Sequence, residues 1–401
     1  MTSTRTSPPP LTDPRLQPAR ALAHQSDEET LREQLELVAI PAPPFGEERR
    51  GERVLARFRE LGLAAPHRDE VGNVVATLPG ASDEGPIVVA AHLDTVFPAG
   101  TEVTPRRENG RIYAPGITDN SRGLAGMLAV ARVLRAAGVR TERPVVFVAS
   151  VGEEGSGDLR GVKHLFREGA ELRGASGFIA LDGSGLRRIV HRAIGSLRLR
   201  VELEGPGGHS WADRGAPNPI VALGSAVAEM ATLALPHPTR SSLTVARIGG
   251  GSSINAIPAH AWMELDMRSE VAGVLAQMEA SVRGVLDRVA DEENGARRTG
   301  TDPLRPVVRV IGDRPSGETP PGAALVQMAS TVTYGLGGRP ELVGSSTDAN
   351  VPMALGIPSI AIGVGGDSGG IHTTDEWYSN EHGALGVERA LLIILGAAGV
   401  A

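Results

Sequence analysis

The stretch PIVVAAHLD, residues 86–94, is a continuous apolar run that ends directly in an imidazole and a carboxylate, His92 and Asp94. Six apolar residues in succession suit a strand covered on both faces, as in a parallel sheet. The pattern recurs along the chain. PVVFVAS (144–150) runs into Val151-Gly152-Glu153-Glu154, GFIAL (177–181) into Asp182, and IPSIAIGV (357–364) into a glycine-rich turn and then His372. Helical patterns occupy 27–38, with Ser26 as N-cap and acids in the first turn, and 46–61, 124–137 and 161–168. Strands alternating with helices imply an α/β fold, here a mostly parallel mixed sheet flanked by helices. In such a sheet ligands bind beyond the carboxyl ends of the strands. Four strand ends therefore deliver histidine or acid to one edge, and Asp119, just before the helix at 124–137, joins them.

The middle of the chain has another texture. SLRLRVEL (196–203) alternates apolar and polar residues, as a half-exposed antiparallel strand does, and 243–248 and 261–268 repeat it. Residues 271–290 form a long amphipathic helix, and the charged stretch 291–301 reads as a loop. These features define an α+β domain at 195–313, inserted into an α/β domain made of 27–194 and 314–401. Residues 1–26 read as a flexible leader without the apolar core of a secretory signal.

Composition narrows the function. The chain of 401 residues is 41% hydrophobic and 22% charged, with net charge −7 and both signs interspersed. That pattern carries no electrostatic footprint for nucleic acid or an anionic membrane. No apolar run approaches the ~18 residues of a transmembrane helix, so the expected location is the cytoplasm. There is no cysteine, which excludes disulfides and thiolate metal sites. Any metal must be held by imidazole and carboxylate.

A lone histidine after a strand is ordinarily a loop residue, Glu153-Glu154 could be a solvated turn, and Asp119-Asn120-Ser121 could be a helix cap. Their convergence is what matters, because clustered carboxylates repel one another unless a cation sits among them. Two imidazoles and three carboxylates suit two zinc ions, each with one histidine and one terminal carboxylate, and one carboxylate bridging. Cobalt or manganese could substitute. Such a pair can share a hydroxide and polarise a carbonyl. Glu153 is then the spare carboxylate, free to act as general base toward the bridging hydroxide. Asp94 could hydrogen-bond the His92 ring and fix its tautomer.

The motifs AAHLDTVFPAG (90–100), GITDNSRGLAG (116–126), SVGEEGSGDLRG (150–161), LDG (181–183) and GGIHTTDE (369–376) resemble the di-zinc aminoacylase–carboxypeptidase metallopeptidase family. That family includes peptidase T, glutamate carboxypeptidase, succinyl-diaminopimelate desuccinylase and acetylornithine deacetylase. The resemblance runs from about residue 27 to the end. It implies a zinc-peptidase-like catalytic domain with an inserted dimerisation and lid domain. It makes His92, Asp119, Glu154, Asp182 and His372 the metal ligands, with Asp119 bridging and a cis peptide after it. His209 in GPGGHSW would reach across a homodimer to the oxyanion. Asn255 in SSINAIPA and Arg268 in ELDMRS would hold the substrate, as an arginine fork suits a carboxylate. On the residues alone, His209 could instead be a turn residue and Arg268 a strand-surface charge. Residues 344–350 resemble the family's substrate-contacting turn. Two departures stand out. Ser121-Arg122 replaces the lysine usual after the bridging aspartate, and aspartate at 182 is the choice of peptidase T and several dipeptidases, where deacylases more often have glutamate.

The expected function is hydrolysis of small peptides by a zinc-dependent exopeptidase, whether amino-, carboxy- or dipeptidase. The alternative is an N-acyl-amino-acid amidohydrolase. A non-catalytic dimeric zinc module should have lost a ligand or the base, and all are present. A nucleotide-binding protein would carry its glycines after the first strand, whereas Gly249-Gly250-Gly251 sits in the inserted domain. His24, His67, His164, His191, His237, His260 and His382 are assigned to structure or surface.

Overall fold

The computed structural model describes residues 11–236, 238–298 and 300–401, so His237 lies outside the described residues. The chain forms two compact units, one made of the residues through Ala193 with Gly317–Ala401, the other of Ile194–Ser316.

The first unit is built on a nine-stranded mixed sheet. Its centre is four parallel strands in the order Val145–Ser150, Ile87–His92, Gly177–Leu181, Ser359–Ile362. Every residue of these four strands is buried, which is why they read as unbroken apolar runs. Successive side chains enter opposite cores. Val89, Phe147, Ile179 and Ile360 face a core that includes the helices Ser121–Ala136 and Gly383–Ala398. Val88, Val148, Phe178 and Ala361 face a second core with Val162, Leu165 and Phe166. Burying each such aliphatic side chain contributes about 1.5–3 kcal/mol. Outside the centre, Val74–Leu78 pairs antiparallel with Val145–Ser150, and Arg188–Ala193 pairs antiparallel with Ser359–Ile362 and parallel with Glu341–Ser345. The sheet is thus the expected mixed sheet flanked by helices, parallel at its centre, with as many antiparallel as parallel pairings among the described residues. Alternation is a weak guide at such edges, because flanking strands are also half covered.

The flexible-leader expectation needs correction for its described part. Pro14–Leu16 is a 3-10 turn capped by Asp13, and Gln17–Gln25 is an α-helix. Leu16, Ala19 and Ala23 lie in the main core. Arg20 and His24 both bind the buried carboxylate of Glu388, at 2.6 and 2.7 Å. The apolar spacing i, i+3, i+7 is that of one helix face, although a proline-rich flank masks it in the sequence.

The second unit is an antiparallel sheet in the order Ser241–Gly250, His260–Ser269, Gly195–Glu204, Arg305–Arg314. Leu197, Leu199, Val201 and Leu203 alternate into a core shared with the helices Pro219–Met230 and Ala272–Gly295. The longer helix runs through 291–295, where a loop was expected. Gly208–His209 and Ala256–Ile257 form a separate two-stranded ribbon.

Candidate metal centre

His92 ends the strand Ile87–His92 and is buried. Its Nδ1 lies 3.0 Å from the backbone carbonyl of Asp94. A carbonyl only accepts, so Nδ1 carries a proton, and Nε2 points into the site. That nitrogen is 3.0 Å from Asp119 Oδ1 and 3.9 Å from Asp182 Oδ1. The orienting contact expected of the Asp94 carboxylate is thus made by its carbonyl, with Oδ1 at 3.7 Å. The carboxylate instead accepts the backbone N–H groups of Glu153 and Glu154, at 3.0 and 2.8 Å. Buried Arg50 clamps the same turn from below, donating to the carbonyls of Leu93 and Ile40.

Glu153 and Glu154 follow the strand Val145–Ser150 through Gly152, whose φ is +69°. A Cβ there would come within 2.1 Å of the Arg160 guanidinium, so only glycine fits. Both glutamates are buried. Asp119 precedes the helix Ser121–Ala136, and the Asp119–Asn120 peptide is cis. The Asn120 side chain joins two strand-end loops. Its oxygen accepts from Gly123 and Gly183, and its nitrogen donates to Leu181, on either side of Asp182. His372, at φ +66°, places Nε2 3.0 Å from Asp119 Oδ2 and 3.1 Å from Glu154 Oε1.

Asp119 therefore belongs to two groups, His92–Asp119–Asp182 and Asp119–Glu154–His372, each with ligand atoms within 4.8 Å of one another. His92, Glu153 and Glu154 make a third such group. The electrostatics describe a cluster short of positive charge. Hydrogen bonds to Asp119 and Glu154 push the His372 imidazole up to about 10. Burial, reinforced by the charge of Asp119, pushes Asp182 up to about 7. Burial would raise Asp119 too, but His372 and His92 hold it well below the carboxylate range. No lysine or arginine pairs with Asp119, Glu154 or Asp182 among the described residues, and Asp119 Oδ1 is buried with no hydrogen bond to it. Imidazoles and carboxylates with an unsatisfied buried oxygen fit divalent cations.

Glu376 was not singled out from the sequence. Fully buried, it accepts the backbone N–H groups of Gly116, Thr118 and Asp119 at 2.7–3.0 Å, fastening the Asp119 loop to the loop that carries His372. Burial pushes its carboxyl up to about 7 against those three hydrogen bonds. Glu376→Gln turns an amide donor toward one of these N–H groups. It should weaken metal binding about 10–100-fold, as loss of outer-shell partners does, read by competition with a chelating dye. An unchanged affinity would remove Glu376 from this role.

In the second unit, the ribbon brings His209 and Asn255 together: Asn255 precedes Ala256, the pairing partner of His209, and its carbonyl accepts the Ser210 N–H. His209 Nδ1 accepts the N–H groups of Trp211 and Ala212 at 3.1 and 3.3 Å, so the neutral ring carries its proton on exposed Nε2. Arg268 is not with them. It stands at the opposite end of the strand His260–Ser269, bound to Asp266 at 2.7 Å. Eight residues of strand separate His260 from Arg268, roughly 26 Å at about 3.3 Å each. In residues 344–350, Asp348 is buried and accepts a hydrogen bond from Ser150, and its charge helps to raise Asp182. Of the remaining histidines, His191 is buried with Nδ1 on the Thr319 carbonyl, and His164 lies near Asp69.

Known proteins resemble this chain in sequence and in fold. The aminopeptidase PepT of Bacillus cereus superposes with a TM-score of 0.73 at 26% identity, covering 93% of this chain and 99% of that one. A tripeptidase of Staphylococcus aureus superposes with a TM-score of 0.76 at 25% identity, covering 93% and 98%. The succinyl-diaminopimelate desuccinylase of Corynebacterium glutamicum is 26% identical over 352 residues, 85% of this chain and 89% of that protein. Peptidase family M20/M25/M40 matches residues 88–395, a span that begins in the first central strand and takes in every strand-end acid and histidine described above, and the chain belongs to that family of hydrolases.

Proposed function

We propose that the protein is a zinc-dependent exopeptidase that hydrolyses di- or tripeptides, with Glu153 as general base. The observation that carries this is the sharing of Asp119 between two ligand groups while Glu153 stands beside them outside both. Two metals, held by His92 with Asp182, by Glu154 with His372, and by Asp119 between them, would polarise the scissile carbonyl and acidify the attacking water. Glu153 takes the proton from that water and passes it to the leaving amine nitrogen. Asp94 holds the Glu153 backbone in place through its carboxylate. His209 donates its Nε2–H to the developing oxyanion, and Asn255 and Arg268 hold the substrate, Arg268 through a carboxylate.

His209 and Arg268 lie too far apart in one unit to grip the same small substrate, which supports a homodimer with His209 supplied by the partner. No helix of the described residues is long and apolar enough to cross a membrane, and a cytoplasmic location is part of the proposal. The similarity to a desuccinylase supports a second reading, an N-acyl-amino-acid amidohydrolase with the same catalytic groups.

One preparation tests both readings. Metal-replete protein should contain close to two equivalents of divalent ion by elemental analysis. It should hydrolyse free di- or tripeptides faster than N-acetyl or N-succinyl amino acids when all are screened together. A stoichiometry of zero would sink the metal assignment, and a preference for the acylated amino acids would exchange the two readings.

A further inference from the structure

Phe45 occupies a position that folding alone does not explain. It lies in the loop between the helices Asp27–Val38 and Glu48–Glu60, and its backbone is left-handed, with φ +68°. That region is strained for a bulky residue. The residue is nonetheless 67% exposed, so no core packing compensates. The rest of the loop is fastened. The Ile40 carbonyl accepts from Arg50, the Ala42 carbonyl accepts the Thr95 N–H, and Gly46 closes a turn onto Pro43. Thr95 follows the His92–Asp94 turn directly, so the loop runs along one wall of the metal centre.

Its other wall is the general-base loop. The Arg160 guanidinium stacks on the Phe45 ring, 4.7 Å from its centroid, and lies against Gly152, the residue before Glu153. Arg160 is itself fixed by a two-pronged ion pair to buried Glu47, at 2.9 and 2.8 Å. Its charge is therefore matched, and its fork is occupied. What this corner offers to a substrate is the free face of an aromatic ring on a rigid, electrically neutral support. Such a surface favours an apolar side chain over an acidic one.

The geometry points to Phe45 as a specificity residue, the apolar wall of a substrate subsite beside Glu153, which selects peptides bearing a bulky apolar side chain. This inference rests on the peptidase reading for its choice of substrate. It assigns Phe45 no part in the proton transfers. The left-handed backbone is held by its neighbours, and glycine adopts it without strain, so Phe45→Gly removes the ring while keeping the loop.

The test compares wild type, Phe45→Leu and Phe45→Gly on trileucine and triglycine. For Phe45→Gly, kcat/KM on trileucine should fall about 10–100-fold relative to triglycine, the scale on which an apolar pocket discriminates. The loss should sit in KM, because the contact is made equally in ground and transition states. Phe45→Leu should restore part of the preference. The dissociation constant of trileucine for metal-loaded Glu153→Gln protein should rise on adding Phe45→Gly, that of triglycine should not, and the melting temperature should hold. An unchanged trileucine-to-triglycine ratio overturns the proposal. So does an equal loss on both peptides with a lowered melting temperature, which would make Phe45 a packing residue. If wild type cleaves N-acyl amino acids and no peptide, the peptidase reading fails by itself. The same comparison on N-acetylleucine and N-acetylglycine then decides the role of Phe45.

Discussion

Glu153→Gln should lower turnover about 10²–10⁴-fold, the usual loss when a general base is removed, and leave two metal equivalents per chain. Glutamine keeps the shape of the side chain and cannot take a proton. The backbone of Glu153 is held by the Asp94 carboxylate at 3.0 Å, independently of its side chain, so the loop should keep its form. Glu154 faces His372 at 3.1 Å and would hold the second metal. Because His92, Glu153 and Glu154 also form a compact group, the metal count is as informative as the rate. Loss of one equivalent in Glu153→Gln would exchange the roles of the two glutamates, and wild-type turnover would remove Glu153 from the chemistry.

His209→Ala should lower kcat by roughly 10²–10³, the effect of deleting a preorganised oxyanion donor, with both metals retained. Two backbone N–H groups occupy Nδ1 and leave Nε2–H as the donor. The sheet of the second unit has two edge strands, Ser241–Gly250 and Arg305–Arg314, each paired on one side only among the described residues. Pairing such an edge across a two-fold axis removes an association hazard and brings a second copy of the ribbon into play. Mixing settles whether His209 acts in trans. Inactive Glu153→Gln chains and inactive His209→Ala chains, combined under exchange, should regain activity through one competent site per heterodimer. No recovery despite demonstrated exchange, or a monomer by sedimentation, would rule the shared site out.

Much of the catalytic unit was legible because its central strands are covered on both faces. Burial on both sides forbids polar residues along the run, so the first polar residues afterwards mark the strand end where a ligand can be met. His92, Glu153, Glu154 and Asp182 were found in that way, and the structure brings them to one place with Asp119 and His372. What stayed hidden depends on backbone groups, which leave no trace in residue type. Glu376 sits beside Asp375 in a loop, and its three partners are N–H groups more than 250 positions earlier. The carbonyl that orients His92 belongs to Asp94, whose side chain was the more conspicuous candidate. The distance between His209 and Arg268 emerges only once the ten-residue register of His260–Ser269 on Gly195–Glu204 is known. The helix Gln17–Gln25 escaped notice because alanine carries most of its buried face and resembles the low-complexity flank beside it.

The interrupted course of the first unit bears on how the protein is made. Its central sheet receives Gly177–Leu181 before the insertion and the adjoining Ser359–Ile362 only after it. Domains fold as units while the chain emerges from the ribosome. Ile194–Ser316 is contiguous and can complete its core while synthesis continues. The sheet of the first unit has to wait with Gly177–Leu181 open on one side until Ser359–Ile362 has been made. His372 arrives later still, after Ser359–Ile362. A nascent chain released early would thus hold a finished second unit beside an open apolar sheet, the state in which chaperones are most needed.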